Sequence, residues 1–359
     1  MMRFVVRADA SEILGSGHVA RCLTLAQALR RQGGEVGFVC RQAVGDMRQA
    51  IVAAGFDCHV LPGADEFDAV ADAAATARIV DELGDADWLI VDHYRIDRVW
   101  ETALRARVGH LLVIDDLADR DHDCDVLLDP NFRSGDADVL WRPRLPAHCR
   151  LLHGPRFALL REEFLHERER LRERDGVVRR ILVSCGGADR DGAALLAVAA
   201  LQVLHRQGLL QGVVIDVIAG AANPHAEPLR ERTMALPGAV FSLSADNMAE
   251  RMAMADLAIG AGGGTTWERC YLGLPALAIV IADNQRAATA AVAAVGAQYD
   301  LGPLPALDVQ TLAARIGACL AESSALRAMS ARARAVMGEV DFIRYPLDWL
   351  SHGRQNPES

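Results

Sequence analysis

No apolar run in this sequence is long enough to cross a lipid bilayer. The longest, Leu274–Ala282, falls far short of the roughly 20 residues that a membrane-spanning helix needs. The first residues also lack the apolar core of a secretory leader, because Arg3, Arg7 and Asp9 interrupt it. We therefore expect a soluble, cytoplasmic protein without stable membrane insertion.

Basic residues are fewer than acidic residues in this sequence. The chain has 38 Lys and Arg against 48 Asp and Glu, which gives a formal net charge of -10. This balance excludes a broad surface for nucleic acid or for an anionic membrane. A small anionic ligand remains compatible with it, because a few backbone amides bind a phosphate group even within an acidic protein.

Several sequence signatures are missing. The eight cysteines include no C-x-x-C pair, which is typical of buried free thiols in a reducing compartment. No G-x-x-x-x-G-K-[ST], H-E-x-x-H or G-x-S-x-G motif is present, which excludes P-loop NTPases, zincin proteases and α/β-hydrolases. With 51% hydrophobic, 24% charged and 5% aromatic residues, the composition is that of a globular protein, and 359 residues predict two domains.

Short apolar runs alternate with amphipathic segments, and the pattern restarts in the second half. Such an alternation predicts parallel sheets covered by helices on both faces. We expect an α/β protein with two Rossmann-like lobes whose parallel sheets face a cleft, the GT-B architecture. In such sheets, ligands bind beyond the carboxyl ends of the strands. The expected strands are Phe4–Arg7, Val36–Cys40, His59–Leu61, Trp88–Asp92, Leu111–Ile114, Val126–Leu128, Ile181–Ser184, Val213–Ala219, Val240–Ser242, Leu257–Gly260 and Ala276–Ile281.

A proline-containing segment followed by a charged helix, Glu162 to Arg174, separates the two halves. Acidic and basic residues alternate along this helix, which is typical of a solvated surface. The predicted organisation is an N-terminal lobe (1–155), a linker with the charged helix (156–175), a C-terminal lobe (176–338) and a tail (339–359). The tail, with Trp349, is expected to pack back on the first lobe.

A glycine turn with a histidine follows the first strand. In Gly15-Ser16-Gly17-His18-Val19-Ala20-Arg21, the glycines permit a tight turn and close approach of a ligand. His18 then stands near the start of a helix, whose dipole favours the neutral imidazole that a general base requires. The alternative is a structural histidine that bonds to the backbone. The glycine pair is not a full dinucleotide fingerprint, so it supports NAD binding only weakly.

A second glycine turn lies between a strand and a helix in the other half. Its residues Gly260 to Glu268 include Gly263, Gly264, Thr265 and Thr266. Exposed amides there predict a cradle for a diphosphate, and Glu268 is placed to accept hydrogen bonds from ribose hydroxyls. The alternative is a structural loop in which glycine relieves crowding. Asn284 and Gln285 follow the next strand, where carboxamides contact sugar or phosphate, unless Asn284 only caps a helix.

Three further segments follow strands. Ser184 to Asp189, with Gly187, brings amides to a strand end, although Asp189 serves equally well as a helix cap. Asp92-His93-Tyr94 ends a strand of the first lobe. The acidic run Asp115 to His122 has ligands for a divalent metal, against the alternative that its carboxylates pair with Arg120.

Taken in order, these segments resemble the UDP-sugar hydrolases of pseudaminic acid biosynthesis, which act on UDP-2,4-diacetamido-2,4,6-trideoxy-β-L-altropyranose. The resemblance covers roughly residues 3–300, and its ordered set of motifs is more specific than any one of them. It departs at Pro130 and Thr265, where members often have Gln and Ser. The matching motifs are Arg7-x-Asp9, Gly15-x-Gly17-His18-x-x-Arg21-Cys22, Asp92-His93-Tyr94, Ile114-Asp115-Asp116-Leu117-Ala118, Cys124-Asp125, Asn131, Phe157-Ala158-Leu159-Leu160-Arg161-x-Glu163-Phe164, Gly186-Gly187-Ala188-Asp189, Gly264-Thr265-Thr266-Trp267-Glu268-Arg269 and Asn284-Gln285.

This resemblance implies hydrolysis of a UDP-sugar by water, with inversion at the anomeric carbon and without metal or redox cofactor. It implies that His18 is the catalytic base. A UDP-sugar is then the small-molecule partner, and neighbouring pathway enzymes are further partners. The residues implied to bind substrate are Gly17, Arg21, Asp92, Tyr94, Asn131, Gly187, Gly263, Gly264, Thr265, Thr266, Glu268, Asn284 and Gln285.

Two other functions fit the same motifs. A UDP-sugar glycosyltransferase of this fold needs an acceptor site, and the helix Val19–Arg31 shows no apolar or aromatic stripe for one. A nucleotide-sugar-binding protein without catalysis would not need His18 as a base. We favour the hydrolase because water is then the only acceptor required.

Overall fold

The computed structural model of the protein describes residues 1–63 and 66–352. They form two α/β units, one made of Met1–Leu159 with the chain from Glu339 onward, the other of Leu160–Gly338. The division between Leu159 and Leu160 falls inside the segment predicted as a linker. Among the described residues, no helix has both the length and the apolarity to span a bilayer.

The first unit is built on a seven-stranded sheet of order β3-β2-β1-β4-β5-β6-β7, in which neighbouring strands are parallel. Its order reverses direction at β1, so β1 and β4 flank a topological switch point. Its strands are β1 (Arg3–Ala8), β2 (Glu35–Arg41), β3 (Asp57–Leu61), β4 (Ala86–Asp92), β5 (Val108–Ile114), β6 (Val126–Asp129) and β7 (Arg150–His153). Its helices up to residue 159 are α1 (Gly17–Arg31), α2 (Arg48–Ala53), α3 (Ala69–Leu83), α4 (Arg98–Leu104) and α5 (Ala137–Trp141).

The second unit repeats this plan with a six-stranded parallel sheet of order β10-β9-β8-β11-β12-β13. Here the switch point lies between β8 and β11. The strands are β8 (Arg180–Ser184), β9 (Val214–Ala219), β10 (Ala239–Leu243), β11 (Leu257–Ala261), β12 (Ala276–Val280) and β13 (Tyr299–Pro303). The helices are α6 (Glu162–Glu169), α7 (Ala193–Arg206), α8 (Ala226–Met234), α9 (Met248–Met254), α10 (Thr265–Tyr271), α11 (Arg286–Ala294), α12 (Val309–Leu320) and α13 (Ser323–Met337).

The chain then returns to the first unit and ends the described part in α14 (Pro346–His352). The rings of Phe342 and Trp349 lie 6.2 and 5.3 Å from the ring of Phe157, measured between centroids. Gln32, just after α1, donates to the carbonyl of Arg344 and accepts from the amide of Leu347. The expected packing of the tail on the first lobe is confirmed for these residues, while 353–359 lie outside the described part.

The predicted α/β class and the eleven predicted strand positions are confirmed, and two strands were missed. Both missed strands, β7 and β13, are sheet edges, and β13 contains Gly302 and Pro303. An edge strand is covered on fewer sides and has less need of a continuous apolar run, so its sequence signal is weak. The charged helix α6 also ends at Glu169, earlier than the predicted Arg174.

A buried arginine after α6 joins several elements of the second unit. Arg174 is only 4% exposed, and its guanidinium donates to carbonyls at the C-terminal ends of α9 and α10. Carbonyls at helix ends lack partners within the helix, and the cation complements their partial negative charge. Burial lowers the pKa of Arg174 to about 10, so it remains charged at neutral pH. The acceptors are the carbonyl oxygens of Met252, Ala253, Ala255, Leu272 and Gly273.

Replacing this arginine should destabilise the protein strongly. We expect Arg174→Met to lower the free energy of unfolding by about 3 kcal/mol or more, because buried carbonyls lose charged donors. Arg174→Lys should lose less, since an ammonium group satisfies fewer carbonyls. Urea denaturation measures the change. Arg179→Met is the matched control, because Arg179 forms an exposed pair with Asp175 and its loss should change the stability little. Equal losses at both positions would contradict the role assigned to Arg174.

Candidate active site

The candidate residues of the first unit lie at its switch point, after β1 and β4. Helix α1 follows β1 and carries His18 and Arg21, while β4 ends in Asp92, just before Tyr94. Because all strands are parallel, the loops after β1 and β4 leave the sheet at the same edge. Gly17, the first residue of α1, is exposed, and a Cβ added there would meet no described atom within 4 Å. The space beside His18 is therefore open on this side.

The imidazole of His18 is held by a carboxylate. Its Nδ1 lies 2.6 Å from Oδ1 of Asp92, and the side chain of His18 is 6% exposed. An ionised carboxylate only accepts hydrogen bonds, so Nδ1 carries the proton and Nε2 presents its lone pair. Among the described residues, no hydrogen-bond partner occupies Nε2. This arrangement differs from the alternative of a histidine bonded to the backbone, and it provides a proton acceptor.

Asp92 lies behind His18 and is fully buried. Besides His18, it accepts hydrogen bonds from Nε and Nη2 of Arg21, at 2.5 and 2.7 Å, and from the thiol of Cys22. Burial opposes its ionisation, but the Arg21 guanidinium and His18 hold the pKa of Asp92 well below its usual range. The contacts that the structure gives Asp92 are with His18 and Arg21, and its expected part in substrate binding stays a prediction.

A second carboxylate completes this cluster. Asp116 accepts from Nη1 of Arg21 and from the hydroxyl of Tyr94, both at 2.9 Å, and its backbone carbonyl accepts from Nδ2 of Asn131. The Tyr94 ring stands edge-on to the His18 ring, with centroids 4.4 Å apart. The structure thus brings together the expected residues of the first unit. Asp116 was quoted only as part of a motif, and its partners are too distant in sequence to be seen beforehand.

The acidic run after β5 forms internal pairs. His122 lies between Oε1 of Glu101, 2.7 Å from Nδ1, and Oδ2 of Asp115, 2.9 Å from Nε2. Arg120 pairs with Asp115 and with Asp119. His122, Glu101 and Asp115 are fully buried. These contacts correspond to the second interpretation of the acidic run, in which its carboxylates pair with neighbouring side chains such as Arg120. Burial alone lowers the pKa of His122, but the two carboxylates overcome it and raise the value to about 9.

The switch point of the second unit lies between the ends of β8 and β11. The strands approach so closely that a Cβ on Gly260 would stand 2.6 Å from the carbonyl oxygen of Ser184. After β11, a Cβ on Gly262 would stand 2.1 Å from the hydroxyl of Thr289, so a larger residue there would require Thr289 to move. Gly263 faces the carboxamide of Gln285, and Gly264 faces space that no described atom occupies within 4 Å. This glycine turn (Gly260 to Gly264) is therefore close-packed at its base and open at its tip.

Glu268, one turn into α10, has one oxygen bound and one without a partner. Its Oε1 accepts from Nη2 and Nε of Arg161, at 3.0 and 3.2 Å. Its Oε2 is buried and has no hydrogen-bond partner in the described part of the chain. Burial raises the pKa of Glu268, and Arg161 opposes this shift. Sequence reasoning missed Arg161 as a site residue, although it stands in a motif that the analysis quoted.

The remaining expected residues of this unit take different positions. The carboxylate of Asp189 accepts from the amides of Ala193 and Ala194, so the helix-cap interpretation applies to α7. Gly187 is exposed, and its carbonyl oxygen lies 2.2 Å from where a Cβ on Gly220 would stand. Asn284 is exposed and does not cap α11, whose N-cap is Gln285. The hydroxyls of Thr265 and Thr266 both accept from Arg269.

The chain matches known proteins along both units. The model of the glycosyltransferase family 28 C-terminal domain matches residues 193–343. The chain is 24% identical over 230 residues to the UDP-2,4-diacetamido-2,4,6-trideoxy-beta-L-altropyranose hydrolase of Campylobacter jejuni, a match that covers 64% of this chain and 74% of that protein. This chain is similar to a UDP-sugar hydrolase of pseudaminic acid biosynthesis. The resemblance drawn from the motifs is confirmed.

Two further comparisons extend this relationship. The chain is 29% identical over 165 residues to the spore coat polysaccharide biosynthesis protein SpsG of Bacillus subtilis, which covers 46% of this chain and 48% of SpsG, about half of its length. The structure of MurG from Acinetobacter baumannii matches with a TM-score of 0.63 and 16% identity, over 96% of this chain and 99% of MurG. At that identity the likeness shows the fold alone, and it confirms the two-lobed α/β architecture.

The pairing of His122 predicts a loss of stability at high pH. The imidazole titrates near 6.5 in an unfolded chain and near 9 in the fold. Its stabilisation is therefore complete below pH 6.5 and disappears as the pH rises through 9. We expect the free energy of unfolding of the wild type to fall by about 3 kcal/mol more than that of His122→Gln between pH 6 and 10, as measured by urea denaturation. His166→Gln, which alters an exposed histidine, should keep the wild-type slope. If the free energy of unfolding of His122→Gln shows the same pH dependence as that of the wild type, the prediction of a buried imidazolium at position 122 is wrong.

Proposed function

We propose that the protein hydrolyses a UDP-sugar, with UDP-2,4-diacetamido-2,4,6-trideoxy-β-L-altropyranose as the substrate. Water attacks the anomeric carbon, the bond from that carbon to the diphosphate oxygen breaks, and UDP and the inverted free sugar leave. The relationship to the hydrolase of Campylobacter jejuni supports the substrate. The substrate already carries a good leaving group, so the proposed reaction uses neither a redox cofactor nor a metal.

The observation that carries this proposal is the pairing of His18 with Asp92 at the switch point of the first unit. Nε2 of His18 takes the proton of the attacking water, and the imidazolium that forms is stabilised by Asp92. Arg21 binds both Asp92 and Asp116, so it fixes the two carboxylates and limits the motion of the His18–Asp92 pair. In this proposal the sugar borders Gly17, Tyr94 and Asn131, which surround His18 or join the same cluster through Asp116.

The second unit binds the nucleotide in this proposal. The unpartnered Oε2 of Glu268 suits a ribose hydroxyl, because a buried acceptor without a donor is costly unless a ligand supplies one. The amides of Gly263, Gly264 and Thr265 border the open tip of the glycine turn and suit the diphosphate. Gly187, Thr266, Asn284 and Gln285 complete the proposed site. Donors at this position stabilise the negative charge that develops on departing UDP.

A glycosyltransferase is the second candidate. The family 28 match favours it, and so does one surface feature of the first unit. The loop before α1 exposes Ile13 (89%) and Leu14 (37%), and Val44, in the adjoining loop, is 76% exposed. The amide of Glu12 donates to the carbonyl of Val44, so the loops are in contact. An apolar acceptor would find a surface there.

Proton NMR of the purified protein with the UDP-linked diacetamido-trideoxy-altrose, beside UDP-N-acetylglucosamine, tests the proposal. The assay contains EDTA, because the proposed chemistry uses no metal. We expect UDP and free sugar to form from the first substrate and not from the second. Absence of any free sugar would contradict the hydrolase and favour the transferase, which needs an acceptor.

His18→Ala should abolish turnover and leave UDP affinity near the wild-type value. Loss of the general base should reduce kcat by a factor of about 100 to 10,000. Asp92→Asn should also reduce kcat, because the carboxamide no longer fixes the tautomer. His110→Ala, which alters an exposed histidine of the same unit, is the control. If UDP affinity falls together with turnover in His18→Ala, the division of roles is wrong.

Glu268→Ala should weaken UDP binding by about 1–3 kcal/mol, the usual effect of losing a charged hydrogen-bonding partner. Isothermal titration calorimetry measures the affinity. Glu227→Ala, which removes an exposed carboxylate from α8, should bind UDP as the wild type does. Unchanged affinity in Glu268→Ala would remove Glu268 from the nucleotide site.

A further inference from the structure

Arg269 is a buried cation that has no acidic partner among the described residues. Its residue surface is 2% exposed, and within the described ranges no carboxylate lies at ion-pair distance from its guanidinium. The neighbouring carboxylate, Glu268, pairs with Arg161 instead. The Nε of Arg269 is also buried and has no hydrogen-bond partner in the described part of the chain.

Other buried arginines in this protein are compensated. Arg7 is held between the carboxylates of Asp9 and Asp72, and Arg174 is surrounded by helix-end carbonyls. Within the described part of the chain, Arg269 donates to one carbonyl and two hydroxyls and to no carboxylate. An unpaired buried charge is unfavourable by several kcal/mol, and burial accordingly lowers the pKa of Arg269. An anionic ligand would compensate the charge of the Arg269 guanidinium, which no carboxylate of the described residues does.

The guanidinium lies directly behind the glycine turn. Nη2 donates to the carbonyl of Ala261 at 2.9 Å and to the hydroxyl of Thr266 at 3.0 Å, while Nη1 donates to the hydroxyl of Thr265 at 3.1 Å. A Cβ on Gly260 would stand 3.0 Å from Nη1. Arg269 is therefore placed at the switch point between β8 and β11, where sheets of this class bind ligands.

The hydrogen bond to Thr265 has a directional consequence. A hydroxyl that accepts from a guanidinium points its lone pair toward that cation, so its own proton is free to donate elsewhere. Thr265 is partly exposed at the tip of the turn, so a ligand atom there is able to accept this proton. A second buried hydroxyl, Oγ1 of Thr289, lies against Gly262 and has no partner among the described residues.

We propose that Arg269 is a positioning residue for a diphosphate. Its charge acts as the counterion of the diphosphate, and it turns the hydroxyl of Thr265 toward the phosphate oxygens. This inference rests on the proposed function, because it takes the glycine turn as the nucleotide site. It adds a buried arginine that supports the turn from behind and favours nucleoside diphosphates over nucleosides.

The test compares UDP with uridine, which lacks the phosphates, on the full-length protein. UDP affinity is measured by calorimetry and uridine affinity by NMR titration, for the wild type, Arg269→Met, Thr265→Val and Thr265→Ser. We expect Arg269→Met to weaken UDP binding about tenfold or more and to change uridine binding less than twofold. Thr265→Val should also weaken the binding of UDP more than that of uridine. Thr265→Ser, which keeps the hydroxyl, should bind UDP as the wild type does.

The design separates the possible failures. Arg230→Met removes an exposed arginine on α8 and controls for net charge. If the variants lose UDP and uridine affinity equally, or lose neither, Arg269 has a structural role and the inference is wrong. If the wild type binds no UDP, the proposed function fails and the inference fails with it. Should Arg269→Met not fold, the Thr265 pair decides, because that partly exposed side chain is not needed for the core.

Discussion

The chemistry proposed for the first unit depends on the hydrogen bonds of one buried carboxylate, that of Asp92. It ends β4, and it binds His18 and Arg21 from α1 and the thiol of Cys22. These bonds tie the helix after β1 to the end of β4, across the point where the strand order reverses. The carboxylate thereby fixes which nitrogen of His18 carries a proton. A sheet with another strand order would separate these groups.

Buried charges in this protein fall into two kinds. His122 and Arg7 are matched by carboxylates, and Arg174 by helix-end carbonyls, so they stabilise the fold without help from a ligand. Glu268 and Arg269 are matched only in part, and both flank the glycine turn of the second unit. In the proposed function, atoms of the nucleotide complete the hydrogen bonding of these two residues. Their burial and missing partners support the proposed nucleotide site.

The fold was largely predictable because parallel strands buried on both faces produce continuous apolar runs. Prediction failed where that cause is weak, at the edge strands β7 and β13. Within the candidate site, His18, Tyr94 and Glu268 were found from glycine turns and polar residues directly after strands. Asp116, Arg161 and Arg269 were quoted within motifs but not recognised as site residues. Their importance comes from partners and burial, which a local pattern does not contain.

The sequence by itself determined the α/β class and the positions of most strands. These two follow from local patterns, since hydrophobic periodicity and glycine turns reflect the backbone of each segment. The resemblance to the UDP-sugar hydrolases rests instead on the ordered set of motifs. Only the tertiary structure decided that Asp92 binds Nδ1 of His18, that the carboxylate of Asp189 binds amides at the start of α7 and that no carboxylate of the described residues pairs with Arg269. His18 and Asp92 are 74 residues apart, and they meet because a parallel sheet brings the carboxyl ends of distant strands to one edge.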